Sequence, residues 1–453
     1  NMQKEYAFLE HIYIEDYKQL ESILETLYNL KLDQKNIKAL STKKHIYMIS
    51  SEFAPNIIGG LGVHVTELAQ ALVQNEINLD MILPDFSKYE NTKCISIHKI
   101  PLQLDYSNPV YWIVFADQVI QYIELLNNLP EVIHCHDWIT SLIGAKLKSK
   151  YGIPYVLHIH LPNISQVCSN IENIGIIAAD LVTVNSNFIK KEIYNRSLPI
   201  DINKVNVINN GVNTKIFNAN MGDISTGKFI LFVGRLVHQK GINILIKALW
   251  YVVQKFPDIQ LKIVGVGELE DRLKEMCKAY LLQNNVSFEG LKTGYELADY
   301  YKNAKFLVVP SIYEPFGMVV LEAFACGKAV IASNLMGLKE IIDNGDDGVL
   351  FEPYDHLDLA QRIMHMLYDE ASCIQAGNNG YKKILSGAYE WNAIAKQFIE
   401  FYAKLNANTP IEADAIMQIQ HHCHVIRQNT EGLDVLPTDK DAFFERLLGW
   451  AFK

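Results

Sequence analysis

The sequence lacks the features of a membrane protein, of a secreted protein and of a nucleic-acid-binding protein. No apolar run reaches the roughly 18 residues that are needed to span a bilayer, and the first residues, NMQKEYAFLEH, contain no signal-peptide core. The 453 residues carry a net charge of −10, whereas phosphate backbones attract basic surfaces. These absences predict a cytoplasmic protein whose main partner is not a nucleic acid.

Paired cysteines and the common phosphate-binding motifs are missing as well. The seven cysteines are scattered without C-x-x-C spacing, which suits thiols packed as small hydrophobic side chains in a reducing compartment. The chain has neither a GK[ST] P-loop nor a G-x-G-x-x-G fingerprint. A small phosphate-bearing ligand remains compatible with the acidic chain, because it needs only one or two local cations.

The pattern of the chain predicts an α/β protein. From residue 45 onward, short β-branched runs alternate with amphipathic helical stretches, which is typical of parallel sheets with helices on both faces. A polar break near residues 218–227 separates two such series. We therefore expect an α/β protein of two doubly wound Rossmann-like domains facing across a cleft, with ligands bound beyond the carboxyl ends of the strands.

The predicted elements follow from this alternation. The first series of strand candidates is HIYMIS, NLDMIL, VYWIVF (110–115), EVIHC, YVLHI, DLVTV and KVNVI, and the second is KFILFVG, QLKIVG, VSFEG, KFLVVP, AVIAS and GVLF. The predicted boundaries are a helical N-terminal extension (1–44), a first Rossmann-like domain (45–217), a second one (226–388), a crossover helix (389–405) and a tail of unassigned role (406–453).

Two glutamates, Glu314 and Glu322, stand eight residues apart in EPFGMVVLEAFACG. Residues 318–326 are apolar nearly all round, as in a buried helix, where a carboxylate is rarely tolerated without partners. Gly317 follows Pro315 at the expected helix start, so free N–H groups there predict an anion site. The pair fits a ligand with phosphate and hydroxyl groups, such as a nucleotide-sugar. The alternative is a buried ion pair for Glu322 and a loop charge at Glu314.

Cations and glycines follow other predicted strands. Arg235 directly follows KFILFVG, and Lys240 lies in the same strand–helix loop, which predicts a site for a diphosphate. Gly59 and Gly60 follow HIYMIS and let a ligand approach the backbone closely, although ordinary turn glycines are the alternative.

Histidines close two strands of the first series. EVIHCH ends in His134 and His136, with Asp137 next, and YVLHIH ends in His158 and His160. Alternate positions of a strand share a face, so the two members of each pair point the same way. The pairs suggest zinc, but no carboxylate or cysteine completes a ligand set, so contacts to substrate are the preferred interpretation.

Eight motifs follow one another across roughly residues 45–405: SEFAPNIIGGLG, HCHDW, VLHIH, VINNGVNTKIF, FVGRLVHQKG, IVGVGELE, VPSIYEPFGMVVLEA and the closing YEW helix. With them the chain resembles the retaining GT-B glycosyltransferases of family 4, which are related to the bacterial and archaeal glycogen synthases of family 5. The resemblance implies a hexosyltransferase. Its donor would be a nucleotide diphosphate sugar similar to UDP-glucose, and its acceptor a hydroxyl group of a saccharide or polysaccharide.

The resemblance also implies roles for individual residues. The implied donor-binding residues are Gly59, Gly60, Arg235, Lys240, Glu314, Phe316, Gly317, Met318, Val319 and Glu322. The implied catalytic residues are His160, Glu314, Asp137, Arg235 and Lys240. Arg235 and Lys240 would bind the diphosphate, Glu322 the ribose hydroxyls and Glu314 the transferred sugar. His160 would support the oxocarbenium-like state from the first domain, which would also hold the acceptor.

No metal or other cofactor is expected. The resemblance implies front-face displacement, in which the leaving phosphate helps to deprotonate the acceptor and cations take the place of a metal. The only Asp-x-Asp, Asp439 and Asp441, lies in the tail. The HHCH run at 421–424 is not expected to bind metal either, because four adjacent residues cannot all reach one ion with good geometry.

Two departures separate the chain from the glycogen synthases. Their signature has a lysine two residues before the glycine pair, where this chain has Ile57, and they usually lack a counterpart of Glu322. Both departures favour family 4, with α-glucan elongation as the alternative. A nucleotide-sugar 2-epimerase and a non-catalytic partner of another transferase are further alternatives. The Glu314/Glu322 pair weighs against the epimerase, and the retained cations weigh against the non-catalytic partner.

Overall fold

The computed structural model describes residues 45–85, 94–101, 109–126, 128–162, 166–219, 227–407, 409, 411 and 413–430. The expected helical extension at 1–44 lies outside the described residues, as does the tail from residue 431 onward. No helix in the described ranges combines the length and the apolar character that crossing a bilayer requires.

The first sheet has seven parallel strands in the order β3-β2-β1-β4-β5-β6-β7. Its strands are β1 (His45–Ile49), β2 (Asn78–Pro84), β3 (Ile95–Ile100), β4 (Val132–His136), β5 (Tyr155–Ile159), β6 (Leu181–Val184) and β7 (Val205–Val207). Because strand order reverses between β1 and β4, their carboxyl ends flank the position where doubly wound sheets bind ligands.

Helices connect these strands, as parallel pairing requires. They are α1 (Gly60–Gln74), α2 (Pro109–Leu126), α3 (Asp137–Tyr151), α4 (Gln166–Ala178) and α5 (Asn187–Asn195), with a short 3₁₀ helix at Ile202–Lys204. β1, β4 and β5 are buried on both faces, with only His45 partly exposed, as is typical of the central strands of a parallel sheet that helices cover on both sides.

The second sheet has six parallel strands in the order β10-β9-β8-β11-β12-β13. They are β8 (Phe229–Val233), β9 (Leu261–Val264), β10 (Val286–Gly290), β11 (Ala304–Val309), β12 (Ala329–Ser333) and β13 (Gly348–Phe351). Its order reverses between β8 and β11, so this sheet repeats the winding of the first. Both sheets confirm the predicted α/β class.

The remaining helices belong to the second half of the chain. They are a 3₁₀ helix at His238–Lys240 and α6 (Ile242–Val253), α7 (Glu270–Ala279), α8 (Gly294–Asn303), α9 (Met318–Ala325), α10 (Leu338–Ile341), α11 (His356–Tyr368), α12 (Glu370–Leu385), α13 (Trp391–Lys404) and α14 (Ala413–Thr430). Two clusters of buried apolar side chains form the core around the second sheet.

The chain divides into two compact units. Unit 1 contains the described residues up to Val184, Ile189–Ile208 and those from Ala395 onward, and unit 2 contains Asn185–Phe188 and Asn209–Ile394. The chain therefore leaves unit 1 for unit 2 and returns to unit 1 within α13. The HHCH run at 421–424 falls within α14.

One strand prediction is wrong. The run VYWIVF at 110–115 lies in α2, not in a strand, while the strand β3 was not predicted. The buried side chains of this helix include Trp112, Phe115, Ala116, Val119 and Ile123. Their spacing of three and four continues well beyond the short apolar run, so the helical period decides the structure.

Candidate active site

In unit 2 the segment between β11 and α9 forms a helix entrance with unsatisfied donors. Gly317 is the N-cap of α9 with φ of 108°, a region that disfavours other residues, and a Cβ there would lie 2.7 Å from Leu338 Cδ2. The amides of Met318 and Val319 donate no hydrogen bond to any described residue. This entrance therefore offers N–H groups at the positive end of the helix dipole, as an anion site requires.

The cation loop after β8 lies directly against the glutamate loop after β11. Lys240 Nζ donates to Glu314 Oε2 at 2.5 Å, and Ser311 Oγ donates to the same oxygen at 3.3 Å. Both side chains are mostly but not fully buried, with 22% of Lys240 and 12% of Glu314 exposed. The structure thus places a partly desolvated charge pair where strand order reverses in the second sheet.

The backbone holds the two loops in this position. Ile312 and Tyr313 donate backbone hydrogen bonds to Gln239 O at 2.9 and 3.3 Å. Gly241 has φ of 62°, and a Cβ at this residue would lie only 2.0 Å from Pro310 O. Glycine is therefore required at position 241 for the approach that brings the Lys240 side chain to Glu314.

Arg235, the second predicted cation, is exposed at the start of the same loop. Its guanidinium makes no hydrogen bond or ion pair with any described residue. A guanidinium without a protein partner retains all five of its donors for a ligand. The loop thus carries one cation held by a carboxylate and one cation open to solvent.

Glu322, two turns inside α9, accepts a hydrogen bond from the Tyr301 hydroxyl at 2.7 Å. No Lys or Arg in the described ranges lies within ion-pair distance of Glu322. Among the described residues, the alternative prediction that Glu322 forms a buried ion pair is therefore wrong. Burial raises the pKa of the Glu322 carboxyl to about 7, against the lowering effect of the Tyr301 hydrogen bond. The group therefore titrates near neutral pH.

In unit 1 the predicted glycine loop is organised by a glutamate that the sequence analysis did not assign. Glu52 Oε2 accepts hydrogen bonds from the amides of Ile58 at 2.8 Å and Gly59 at 3.2 Å. Gly60 begins α1 and is exposed, and Gly59 is its N-cap without a side-chain hydrogen bond. The carboxylate thereby fixes the entrance of α1 at the end of β1.

The histidines that end β4 and β5 come together in unit 1 as one buried cluster. His136 Nδ1 lies 3.2 Å from His160 Nε2, and the ring centroids of His158 and His160 are 4.3 Å apart. His134 Nδ1 lies 2.8 Å from the Tyr402 hydroxyl of α13. Burial lowers the pKa of His134 to about 3, and burial with neighbouring imidazoles lowers the pKa of the other three. All four rings are neutral at physiological pH.

His64 on α1 is the member of this cluster that the sequence analysis missed. It is fully buried, and its ring centroid lies 4.5 Å from those of both His158 and His160. Within the described ranges, these three residues form the one group whose ligand atoms meet the spacing for a metal ion. Its position in VHVTELAQALV, on the buried face of a helix after a glycine loop, was the available signal.

Asp137 joins the ends of β4 and β5. Its Oδ1 accepts hydrogen bonds from the amides of His160 at 2.7 Å and Leu161 at 3.5 Å, and its backbone has φ of 59°. Burial raises the pKa of the Asp137 carboxyl to about 8, reinforced by the charges of Glu172 and Glu52 and opposed by the two amide hydrogen bonds. Two of the residues predicted for unit 1, Asp137 and His160, are therefore in direct contact with each other.

Comparisons with known proteins agree with this arrangement. Residues 58–216 match the profile of Glycosyltransferase Family 4, and residues 216–383 match that of Glycosyl transferases group 1. An uncharacterized glycosyltransferase from Methanocaldococcus jannaschii is 33% identical over 384 residues, which are 79% of this chain and 97% of that protein. These matches confirm the resemblance found in the sequence.

Two further similarities are more distant. An alpha-maltose-1-phosphate synthase from Mycolicibacterium smegmatis is 28% identical over 404 residues, covering 80% of this chain and all of that protein. The structure of a sucrose-phosphate synthase from Thermosynechococcus elongatus matches with a TM-score of 0.70 and 24% identity, covering 80% of this chain and 99% of that one. The structural match supports the fold.

Proposed function

Because this chain belongs to the group 1 glycosyltransferases and is a nucleotide-sugar glycosyltransferase, we propose that it transfers a hexose to a hydroxyl group of a saccharide. The donor in this proposal is a nucleoside diphosphate hexose similar to UDP-glucose, and the anomeric configuration is retained. The name of the alpha-maltose-1-phosphate synthase relative supports a saccharide product.

The observation that carries the proposal is the charge arrangement after β8 and β11. Lys240 is held against Glu314 at 2.5 Å, while the guanidinium of Arg235 has no partner among the described residues. A bound diphosphate would gain both cations together with the amides of Gly317, Met318 and Val319 at the start of α9. Such preorganised donors stabilise the charge that develops on a leaving diphosphate.

The carboxylates of unit 2 suit the hydroxyl groups of the donor. Glu314 has a second carboxylate oxygen beyond the one bound by Lys240 and Ser311, and we assign it to the transferred sugar together with the amide of Phe316. Glu322 retains acceptor capacity besides its Tyr301 hydrogen bond, and we assign it to the ribose hydroxyls. In their ionised forms both groups accept hydrogen bonds only, as hydroxyl recognition requires.

For unit 1 we assign the reacting centre to His160 and Asp137. The lowered pKa keeps the His160 ring neutral, so it stabilises the oxocarbenium-like state as a dipole and not as a cation. Asp137 orients His160 through its amide hydrogen bond and lies near the sugar and the acceptor in this proposal. Gly59 and Gly60 contact the donor through their backbone.

The proposed reaction proceeds by front-face displacement. The bond between the anomeric carbon and the diphosphate oxygen breaks, and the acceptor oxygen bonds to the same face of that carbon. The acceptor proton passes to an oxygen of the departing diphosphate. Arg235 and Lys240 neutralise the negative charge of the leaving diphosphate, which a metal ion does in other transferases, so the proposed step needs no metal.

A screen of nucleotide sugars for slow hydrolysis tests this function. We expect release of free nucleoside diphosphate and hexose with at least one UDP- or ADP-hexose, undiminished after chelator treatment. Adding small saccharides and glucans to the active donor should then accelerate the release, and elongation of glucans alone would identify an α-glucan synthase. The matched inactive control is Lys240→Ala.

Other outcomes of the same screen contradict the proposal. Conversion of the donor to an epimer, without release of nucleoside diphosphate, would indicate a nucleotide-sugar epimerase. Failure of the folded chain to hydrolyse or bind any donor would indicate a non-catalytic partner. Loss of activity on chelation that added Mg²⁺ or Mn²⁺ restores would contradict the metal-free step.

A further inference from the structure

Three imidazoles in unit 1 meet in one buried place from different parts of the chain. His64 comes from α1, His158 from β5 and His160 from the residue after β5, and one ligand atom of each lies within 4.8 Å of the other two. Their exposed fractions are 0%, 0% and 7%, so only His160 reaches solvent. Nitrogens of a tetrahedral Zn²⁺ site lie about 3.3 Å apart, a distance that small side-chain rotations would reach.

Hydrogen bonds to neighbouring side chains already orient two of the rings. His158 Nδ1 lies 2.8 Å from Thr183 Oγ1, which leaves Nε2 directed into the cluster, buried and without a hydrogen-bond partner. His160 Nε2 lies 3.2 Å from His136 Nδ1, which leaves Nδ1 of His160 as its ligand atom. Outer partners of this kind fix ring orientation in histidine metal sites.

The surroundings select among metal ions. The three ligands His64, His158 and His160 all supply nitrogen. The ring of Phe398, which supplies no oxygen ligand, lies beside them, with its centroid 6.5 Å from that of His64 and 5.8 Å from that of His158. Zn²⁺, Co²⁺, Ni²⁺ and Cu²⁺ accept imidazole ligands, whereas Mg²⁺ and Ca²⁺ require oxygen.

We propose that His64, His158 and His160 bind a divalent transition-metal ion, and Zn²⁺ and Co²⁺ are the ions used to test the site. The three nitrogens leave a fourth position for water or a further ligand. The site is an addition to the proposed transfer chemistry, in which no metal takes part.

An effect on activity follows, and this part rests on the proposed function. A metal bound to the His160 ring removes that ring from the reacting sugar, so occupancy inhibits transfer. The chain would then be active when stripped of metal and inhibited by Zn²⁺, which is the reverse of a metal-dependent transferase.

The experiment is a Co²⁺ titration of the full chain after removal of metal by chelator. We expect one equivalent to bind and to produce the intense visible absorption of tetrahedral Co²⁺, which Zn²⁺ then displaces. A first control removes the histidines of α14 in one variant (His421→Gln, His422→Gln and His424→Gln) and should leave the spectrum unchanged. Loss of the signal in this variant alone would assign the ion to α14 and overturn the proposal.

Substitutions in the cluster supply the second part of the test. His64→Gln and His158→Gln should each weaken Co²⁺ binding at least about tenfold, since each removes one of three ligands. His158→Cys should keep the ion and add a thiolate charge-transfer band, a result that no structural disturbance would produce. His238→Gln, at an exposed histidine in unit 2, is the matched control. Unchanged binding in both glutamine variants, or a weak octahedral spectrum in the parent, would overturn the site.

Activity is measured separately, so that the two proposals fail in different ways. Stoichiometric Co²⁺ binding without inhibition would uphold the metal site and contradict the reacting role of His160. Undiminished transferase activity together with no binding at any Zn²⁺ or Co²⁺ concentration tested would uphold the proposed function and overturn the metal site.

Discussion

The two units repeat one strand order but place different chemistry at the ends of their central strands. After β8 and β11, unit 2 carries Lys240, Glu314 and the exposed Arg235. After β4 and β5, unit 1 carries neutral, buried imidazoles and an aspartate whose pKa is raised to about 8. The same winding therefore supplies one charged, solvent-accessible end and one desolvated end.

The difference teaches how position and chemistry are separated in this fold. Strand order decides where functional side chains collect, because the reversal between the first and fourth strands opens space beyond their carboxyl ends. The loops decide what those side chains do. In unit 2 the tight approach at Gly241 keeps two charges together, whereas in unit 1 the rings are packed beneath α1 and α13.

Removing the charge pair of unit 2 is expected to have the largest effect. Lys240→Ala and Glu314→Gln should each lower kcat/KM for transfer by about a hundredfold or more, on the scale of lost electrostatic stabilisation. The double variant should lose little more than either single one, because the two side chains act as a pair. Release of nucleoside diphosphate is the measurement. Lys255→Ala, an exposed lysine at the end of the same connection, is the control, and near-normal turnover in both single variants would refute the assignment.

The loop approach that holds this pair can be tested through stability. Gly241→Ala should lower the free energy of unfolding by about 2 kcal/mol more than Gly290→Ala, because both residues have positive φ but only the former would bring a Cβ against backbone, at Pro310 O. Urea unfolding of the two variants measures the difference. Equal losses of unfolding free energy in the two variants would mean that the loops after β8 and β11 can separate without cost, and would contradict the requirement for glycine at position 241.

Substitution in unit 1 should affect chemistry without affecting nucleotide affinity. His160→Ala should lower kcat about tenfold and leave the dissociation constant of the nucleoside diphosphate within about twofold. Steady-state kinetics and calorimetry measure the two quantities on one preparation. A large loss of nucleotide affinity would contradict the division of roles between the units.

The smallest expected effect is a pH dependence of nucleotide binding. The pKa of Glu322 is raised from 4.5 to about 7, so affinity for the ribose should rise severalfold as pH increases through 7 and the carboxyl ionises. Glu322→Gln should remove the part of the pH dependence that comes from the carboxyl group and leave the part that comes from ionisation of the phosphate. Calorimetry at pH 5.5 to 8.5 measures both, and identical pH profiles would exclude Glu322 as the ribose ligand.

The same raised pKa has a consequence for stability with a defined sign. Between pH 4.5 and about 7 the folded protein binds a proton at Glu322 that the unfolded chain has lost. The contribution of this group to the free energy of unfolding therefore falls as pH rises through that window. Glu322→Gln should flatten the curve there, which unfolding at several pH values will show.

Local patterns in the sequence located the helix entrance, the two glutamates and the lysine of unit 2. EPFGMVVLEA encodes its helix entrance and both glutamates within ten residues, and Lys240 follows a strand whose apolar run is unmistakable. The Tyr301 partner of Glu322 and the clash that demands glycine at 241 arise only from packing between elements. Residue patterns do not contain these distances.

The histidine cluster of unit 1 was harder to predict, because its members come from separate elements. The histidines at the ends of the adjacent strands β4 and β5 were predicted as candidate site residues. His64 was not, because it lies on a helix that is far from those strands in the sequence. The run at 110–115 was predicted as a strand because of its composition, yet it lies in a helix, because the helical spacing of apolar residues continues along the whole of α2. Short windows detect neither kind of long-range constraint.

The return of the chain to unit 1 through α13 has a consequence for biosynthesis. Phe398 and Tyr402 cover His134, yet a ribosome translates them only after all of residues 209–394. Unit 1 therefore remains incomplete while unit 2 is translated and folds, and chaperones can bind unit 1 during that interval. A nonsense mutation near codon 395 would therefore damage the half of the protein made first.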